Sequence, residues 1–538
     1  MTQAHDPPTD AHHFDAIELE VFKHLFASAA EEMGVRLMRS AYSPNIKERR
    51  DFSCALFDAA GDMIAQAAHI PVHLGSSPLS VQAVIDAFAI DQMKPADRFI
   101  VNDPFAGGTH LPDITVIAPC FIADEPRPRF FVANRAHHAD VGGTTPGSLP
   151  ISTSIDDEGV RIAPSRLDDE LIDWICNQTR TPGERRGDLR AQLAALDVGI
   201  DRLRDLADRH GPARVSAAGG ALMDYTARFT RNLIASLPDG EYRFRDYLDD
   251  DGHGQQDIPI RCTLTVAGDH ASVDLRDSAD QVTGPVNAVR AIAISAAMYV
   301  FRCLAPADIP SNSGVLRPVD VLTRPGSVVD ARHPAAVAGG NVETSQRIVD
   351  VIFGALARAL PDIVPAASAG TMNNITVGGR DTRHHPPTTF AYYETLAGGA
   401  GAGPDGPGGD ALHTHMTNTR NTPVEALEHA YPLRVEAYRI RKDSGGDGKH
   451  RGGHGLVRQY RFDVPVQLTL LTERRRHCPY GLVDGSPGKP GVNTLLRADG
   501  SRETLPAKCT IDLNAGDAIE IATPGGGGWG PVTDRHDA

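Results

Sequence analysis

Two short stretches of this chain concentrate side chains able to bind a divalent cation. The first, FIVNDPFAGGTHLPDITVIAPCF, sets His110 and Asp113 three residues apart, after a Gly107-Gly108 turn and before an apolar run of strand length. The second, FFVANRAHHADVGG, sets His137, His138 and Asp140 directly after another such run. Strands that begin or end in His and Asp bring these groups together when they are neighbours in one sheet. Imidazole nitrogen plus carboxylate oxygen suits Zn, Mn or Fe with positions left open for water or substrate. Such an ion lowers the pKa of water or polarises a carbonyl. Either pair alone is a common accident at a solvated strand end; two of them, both at strand–loop junctions, point to one site. Asp51, in KERRDFSCALFD, precedes a further short strand and on its own reads as a partner for Arg49 or Arg50.

Other chemistries find less support. The sequence has no GxxxxGK[ST] phosphate loop and no GxSxG nucleophile turn, and none of its seven cysteines sits in a CxxC pair or a nucleophile motif. The glycine clusters GGAGAGPDGPGGD (398–410) and PGGGGWG (524–530) read as ordered loops where backbone passes close to other groups, and GGAGAG as a surface that could face a phosphate-bearing intermediate. Asn341, Glu343 and Gln346 open a helix, as a cap or as a seat for an anionic intermediate. His413, His415, Arg420 and Glu425 suit substrate or interface contacts, whereas His69 and His73, beside a proline, suit packing.

The elements that must position these groups are mixed α and β. A stripe of Ile17, Val21, Leu25, Ala29 and Met33 predicts a helix from Phe14 to about Tyr42, ended by Ser43-Pro44. Short apolar runs at 54–57, 99–101, 114–118 and 130–133 predict strands. Helices follow over 80–88, within 190–235 (a second one from Ala221), and over 291–304 and 347–360. Strands are expected at 260–266 and 271–275 around Gly268-Asp269, and from 430 onward at 434–441, 455–462, 466–471 and 518–522. The expected architecture is a disordered tail over 1–13, an N-terminal metal-bearing α/β domain over 14–240, and a β-rich C-terminal region over 241–538, itself divided near 375–430.

A chain of 538 residues exceeds one ordinary core. Its net charge of −16, without a basic stripe, argues against nucleic acid. No apolar run reaches membrane length, and the first residues lack the pattern of a secretory leader. Scattered, odd-numbered cysteines suit a reducing, cytoplasmic setting.

The stretches ERRDFSCALFD, HIPVHLGS, NDPFAGGTHLPDITVIAP and NRAHHADVGG resemble the N-terminal motifs of the hydantoinase B/oxoprolinase family. PVDVLTRPGSVVDARHPAAVAGGNVETSQRI, SAGTMNN, HMTNTRNTPVEALE, RKDSGGDGKHRGGHG and TPGGGGWG resemble its later ones, in family order. The resemblance implies a metal-binding subunit of an ATP-dependent cyclic-amide hydrolase acting on a hydantoin, 5-oxoproline or a related lactam, similar to N-methylhydantoinase B and caprolactamase. It also implies a hydantoinase A-type ATPase partner that carries ATP and Mg and phosphorylates the substrate carbonyl, in a heterotetramer. By the same resemblance the metal ligands are Asp51, His110, Asp113 and one histidine of the His137-His138 pair, taken as His137 with His138 left open; since neighbouring strand residues face opposite ways, the other ring, His138, could orient a carboxylate such as Asp140 or shuttle a proton. Two alternatives stay open: a subunit of an ATP-dependent ketone carboxylase of the acetone or acetophenone type, and a scaffold whose metal is structural.

Overall fold

The computed structural model describes residues 14–532; the tail expected over 1–13 lies outside them. Helix α1 (Ala16–Ser40) opens on a capping box in which Asp15 and Glu18 each satisfy the other's backbone N–H, an arrangement worth about 1 kcal/mol. Its buried face is Phe22, Phe26, Ala29, Ala30, Met33 and Leu37. The stripe expected from the sequence started wrongly: Ile17 and Val21 are 76% and 48% exposed. Four residues carry a helix about 40° past a full turn, so a strict i+4 row walks off any one face, while the real seam mixes steps of three and four. Ser43 caps the short α2 (Pro44–Lys47), with Pro44 in its first turn.

Six strands then form one antiparallel sheet: β1 (Phe52–Asp58), β2 (Met63–Gln66), β3 (Phe99–Val101), β4 (Asp113–Cys120), β5 (Phe130–His137) and β6 (Ser165–Arg166), in the order β2-β1-β5-β4-β3-β6. Every residue of β3, β4 and β5 is buried. Covered on both faces, these strands show as continuous apolar runs rather than as alternation. Helix α3 (Ser77–Ala87) packs against β3 and β5, and α5 (Pro182–His210), which follows α4 (Asp169–Asn177), packs against α1, β4 and β5. Helix α6 (Pro212–Ala235) begins nine residues before the expected Ala221. Gly211, at φ 86°, ends α5, and Pro212 starts the next helix in the position where its missing N–H costs nothing.

Strand β7 (Gly240–Asp250) opens a second sheet with β8 (Gln256–Ala267), β9 (His270–Asp274) and β10 (Val319–Leu322), in the order β10-β9-β8-β7. The β8–β9 pair turns at Gly268-Asp269, as its alternation predicted. Helices α7 (Arg290–Leu304) and α8 (Ser345–Ala359) pack together, and α8 covers β7 and β8. A π-helical turn, Gly340–Thr344, leads directly into α8. One apolar core runs through both of these sheets, from Phe22 to Leu471.

The C-terminal half is β-rich. It comprises β11 (Asn374–Asp381), β12 (Thr388–Glu394), α9 (Val424–Ala430), β13 (Leu433–Arg441), β14 (Gly455–Phe462), β15 (Val466–Leu471), β16 (Val492–Leu496), β17 (Arg502–Leu505), β18 (Lys508–Leu513) and β19 (Ala518–Ala522). These strands make two sheets, β12-β11-β15-β18 and β13-β14-β19-β16-β17, around a second core that includes Tyr392, Tyr460, Leu468 and Ile519.

Between these elements the glycine-rich segments interlock. Ala402 donates to Gly527 O (2.9 Å), Gly527 to Ala367 O (2.8 Å), Gly526 to Gly453 O (2.9 Å) and Gly453 to Ala400 O (2.8 Å). Backbones lie so close that a Cβ on Gly453 would meet Gly409 O at 1.9 Å, and one on Gly526 would meet Ala400 O at 2.0 Å. The clusters are thus a packed, mutually hydrogen-bonded layer. The amides of GGAGAG that were expected to face a phosphate are already spent within it.

Candidate metal centre

The sheet order explains how distant residues meet. β5 lies between β1 and β4, and Asp113 at the start of β4 is paired in register with His137 at the end of β5. On the other side of β5, Asp51 O accepts the His137 N–H (3.0 Å). Positions 51, 137 and 113 therefore stand in a row across three strands. His110 comes from the loop before β4. That loop doubles back so tightly that a Cβ on Gly108 would lie 2.4 Å from Asn102 O, so glycine is required there.

His110, Asp113 and His137 each offer a ligand atom within 4.8 Å of the others, and all three are buried. Asp113 Oδ1 lies 3.1 Å from His110 Nε2 and 3.2 Å from His137 Nδ1. Its Oδ2 takes His73 Nε2 (3.2 Å), the Thr109 hydroxyl (3.1 Å) and the Asn341 amide (3.3 Å). His110 Nδ1 donates to Ala338 O (3.3 Å), which leaves its Nε2 as the ligating nitrogen. The His137 ring stacks on Tyr393 at 4.5 Å, and the Arg49 guanidinium lies 4.7 Å from the Tyr393 ring centre.

Burial alone would raise the Asp113 carboxyl, but the imidazoles of His110 and His73 and the hydrogen bonds of His110 and His137 hold it well below the ordinary range. Burial drives His73 and His137 down, keeping those rings neutral, as ligation requires. An ionised carboxylate thus sits in a ring of buried histidines, and its ion-pair contacts among the described residues are all with those histidines. His137 Nε2 and Asn341 Oδ1 are buried without a partner. A divalent cation fits this donor set: it would supply the missing positive charge and a partner for the bare nitrogen.

The remaining expected site residues are placed differently. The Asp51 carboxylate is not one of the three groups within 4.8 Å, and it approaches Arg49 Nη2 at 3.7 Å. His138, one residue beyond His137, turns to the opposite face, where Nε2 meets Gln192 Oε1 of α5 at 2.9 Å. Asp140 accepts from the Arg180 guanidinium (2.8 Å), Arg180 N (3.1 Å) and Gly142 N (3.1 Å), and so organises the loop after β5. His73, expected to serve packing, instead spans Ser53 Oγ (2.8 Å) and Asp113. Asn341 reaches the centre from the π-helical turn, donating to His110 Nε2 at 3.1 Å. Nothing local in the sequence singles out Tyr393, whose place depends on β12 pairing far from the first sheet.

This sheet, with a buried His–Asp–His group at its strand ends that could hold a metal ion, defines a mixed α/β protein. The chain belongs to the hydantoinase B/oxoprolinase family, whose profile matches residues 15–532. It is 38% identical to 5-oxoprolinase 1 of Arabidopsis thaliana over 96% of its own length, but spans 42% of that protein. It is 30% identical to a putative D-/L-hydantoinase subunit of a Pseudomonas species, covering 98% of this chain and 92% of that one. Its fold matches the crystal structure of the ATP-dependent caprolactamase from Pseudomonas jessenii with a TM-score of 0.89 at 28% identity, covering 96% of this chain and 91% of that chain. Among the described residues, no helix is long and apolar enough to cross a membrane.

Proposed function

We propose that this chain is the metal-bearing subunit of an ATP-dependent cyclic amidohydrolase that opens a hydantoin, 5-oxoproline or related lactam ring in the cytoplasm. A hydantoinase A-type subunit acts with it, in a heterotetramer, binding ATP and Mg and phosphorylating the substrate carbonyl oxygen. The observation that carries this reading is the buried His110–Asp113–His137 group with its unpartnered His137 nitrogen. The partner is supported by length: the Arabidopsis 5-oxoprolinase is more than twice the part that this chain matches.

His110, Asp113 and His137 would hold the ion, with Asp51 beside them as a fourth candidate. Zn, Mn or Fe bound there would supply Lewis acidity toward an activated amide carbonyl and a nucleophile at neutral pH. Asp113 provides the charge that fixes the cation, while His73, Thr109 and Asn341 fix Asp113. Tyr393 covers one face of His137 and excludes water from it. His138 and Asp140 act as positioning residues, tying the end of β5 to α5 and to Arg180. The test is elemental analysis of the purified chain, followed by ring-opening assays with the partner subunit and ATP, with and without labelled bicarbonate. Turnover that persists after complete metal removal rejects catalysis at this centre. Product carbon derived from labelled bicarbonate would mark a carboxylase instead.

A further inference from the structure

A cleft of about 290 Å³ lies between α1, the segment that leads into β1, the turn after β2 and the stretch before α9. Gly34 and Met38 belong to its α1 wall, and Arg50, Phe52, His69 and Arg420 line the rest. It falls just short of the roughly 300–1,000 Å³ typical of drug-sized ligands, and suits a small ion better than a ring system. Hydrogen bonds hold its segments side by side: Arg420 N donates to Arg49 O (2.9 Å), and Asn418 Nδ2 to His69 O (3.1 Å). None of His110, Asp113 and His137 lines it.

Two guanidiniums share this cleft without a countercharge. Arg50 and Arg420 are both exposed, and neither side chain forms an ion pair or donates a hydrogen bond among the described residues. The carboxylate on the wall, Glu31, accepts the Ala68 N–H through Oε1 (2.9 Å) and pairs with neither arginine. Arg50 also sits at φ 57°, a left-handed backbone that costs a non-glycine residue about 1–3 kcal/mol, so the fold holds it there against its local preference. His69 adds a neutral donor. Its Nδ1 accepts the Cys54 N–H (3.2 Å), and burial lowers the ring to about 4, so the single ring proton is on Nε2. Gly34 makes room for that edge of the ring: a Cβ there would meet His69 Cε1 at 2.5 Å and Nε2 at 2.7 Å. A guanidinium presents paired N–H groups that match two oxygens of a phosphate, and a dianion draws on both positive charges at once. A carboxylate offers one such pair of oxygens and a single charge.

We propose that this cleft is a binding site for a phosphate-class oxyanion, held between the Arg50 and Arg420 guanidiniums with His69 as a neutral donor on the wall. An ion seated there ties the stretch at 418–420 to residue 50, directly before Asp51. The test uses the full-length chain with inorganic phosphate and acetate as probes, followed by phosphorus and proton NMR of the ligand. Expected are saturable phosphate binding in the roughly millimolar range, and binding at least about tenfold weaker for acetate. Arg50→Gln and Arg420→Gln should each weaken phosphate binding by about tenfold or more; both residues are exposed, so the melting temperature should stay that of the wild type. Phosphate also binds metal ions, so the titration is repeated in Asp113→Asn, which should bind phosphate as the wild type does. Arg36→Gln removes an α1 arginine that does not line the cleft and should change nothing. Absence of saturable binding, full binding in either cleft variant, loss of binding in Asp113→Asn, or an equal loss in Arg36→Gln would each overturn the assignment. Acetate bound as tightly as phosphate would make the cleft a seat for carboxylates and overturn it as well.

Discussion

Asp113 carries more neighbours than a buried carboxylate needs for its own satisfaction: three imidazoles, a hydroxyl and an amide. Removing its charge or one ligating ring should empty the centre. Asp113→Asn and His110→Ala are expected to bring divalent metal down to background by elemental analysis and to abolish ring opening, while co-purification with the partner subunit survives. Asn341→Ala and His73→Ala act through Asp113, so chelator competition should show metal affinity falling about 10–100-fold in each. The His and Asp members of this group were legible in the sequence because strand ends and short spacings announce them. Asn341 was visible only as a helix opening, and His73 only as a residue beside a proline; both were placed by contacts across the fold. His138 faces away from His137, as alternation along a strand requires, and meets Gln192. Glu343 makes a separate prediction. Burial, reinforced by Glu473, raises its carboxyl from 4.5 to about 8. The folded state therefore keeps a proton that the unfolded chain releases between about pH 4.5 and 8, so stability falls as pH rises through that window, by a few kcal/mol at most. Urea denaturation at intervals across it should show this slope in the wild type and a flatter one in Glu343→Gln.

At the scale of elements, the site depends on register. β4 and β5 place Asp113 opposite His137, and the loop before β4 delivers His110 only because Gly108 lets the backbone pass Asn102. Gly108→Ala should destabilise the chain by about 1–3 kcal/mol and weaken metal binding as well, a pairing that calorimetry and chelator titration would detect together. Strands buried on both faces were readable as apolar runs, and helices α7 and α8 began and ended close to expectation. β7 was missed because its sequence, EYRFRDYLDD, alternates polar and aromatic residues in a strand whose first half is largely open to solvent. The false start of the α1 stripe and the start of α6 ahead of the expected Ala221 have local causes, helical drift and the Gly211-Pro212 junction.

At the scale of the whole molecule, the glycine layer joins segments from 366 to 530 that no single sheet connects. Gly527→Ala would put a methyl 2.0 Å from Tyr480 O, and Gly453→Ala one at 1.9 Å from Gly409 O. Each should cost about 3 kcal/mol or more and lower soluble yield, whereas Gly220→Ala, with open space around it, should be neutral by thermal melting. The layer also imposes an order of events on synthesis. Ala367 O, the Ala402 and Gly446 amides and Gly453 O find their partners at Gly526 and Gly527, which leave the ribosome after all of them. The bonds that close this layer therefore form only once that last glycine run has been made.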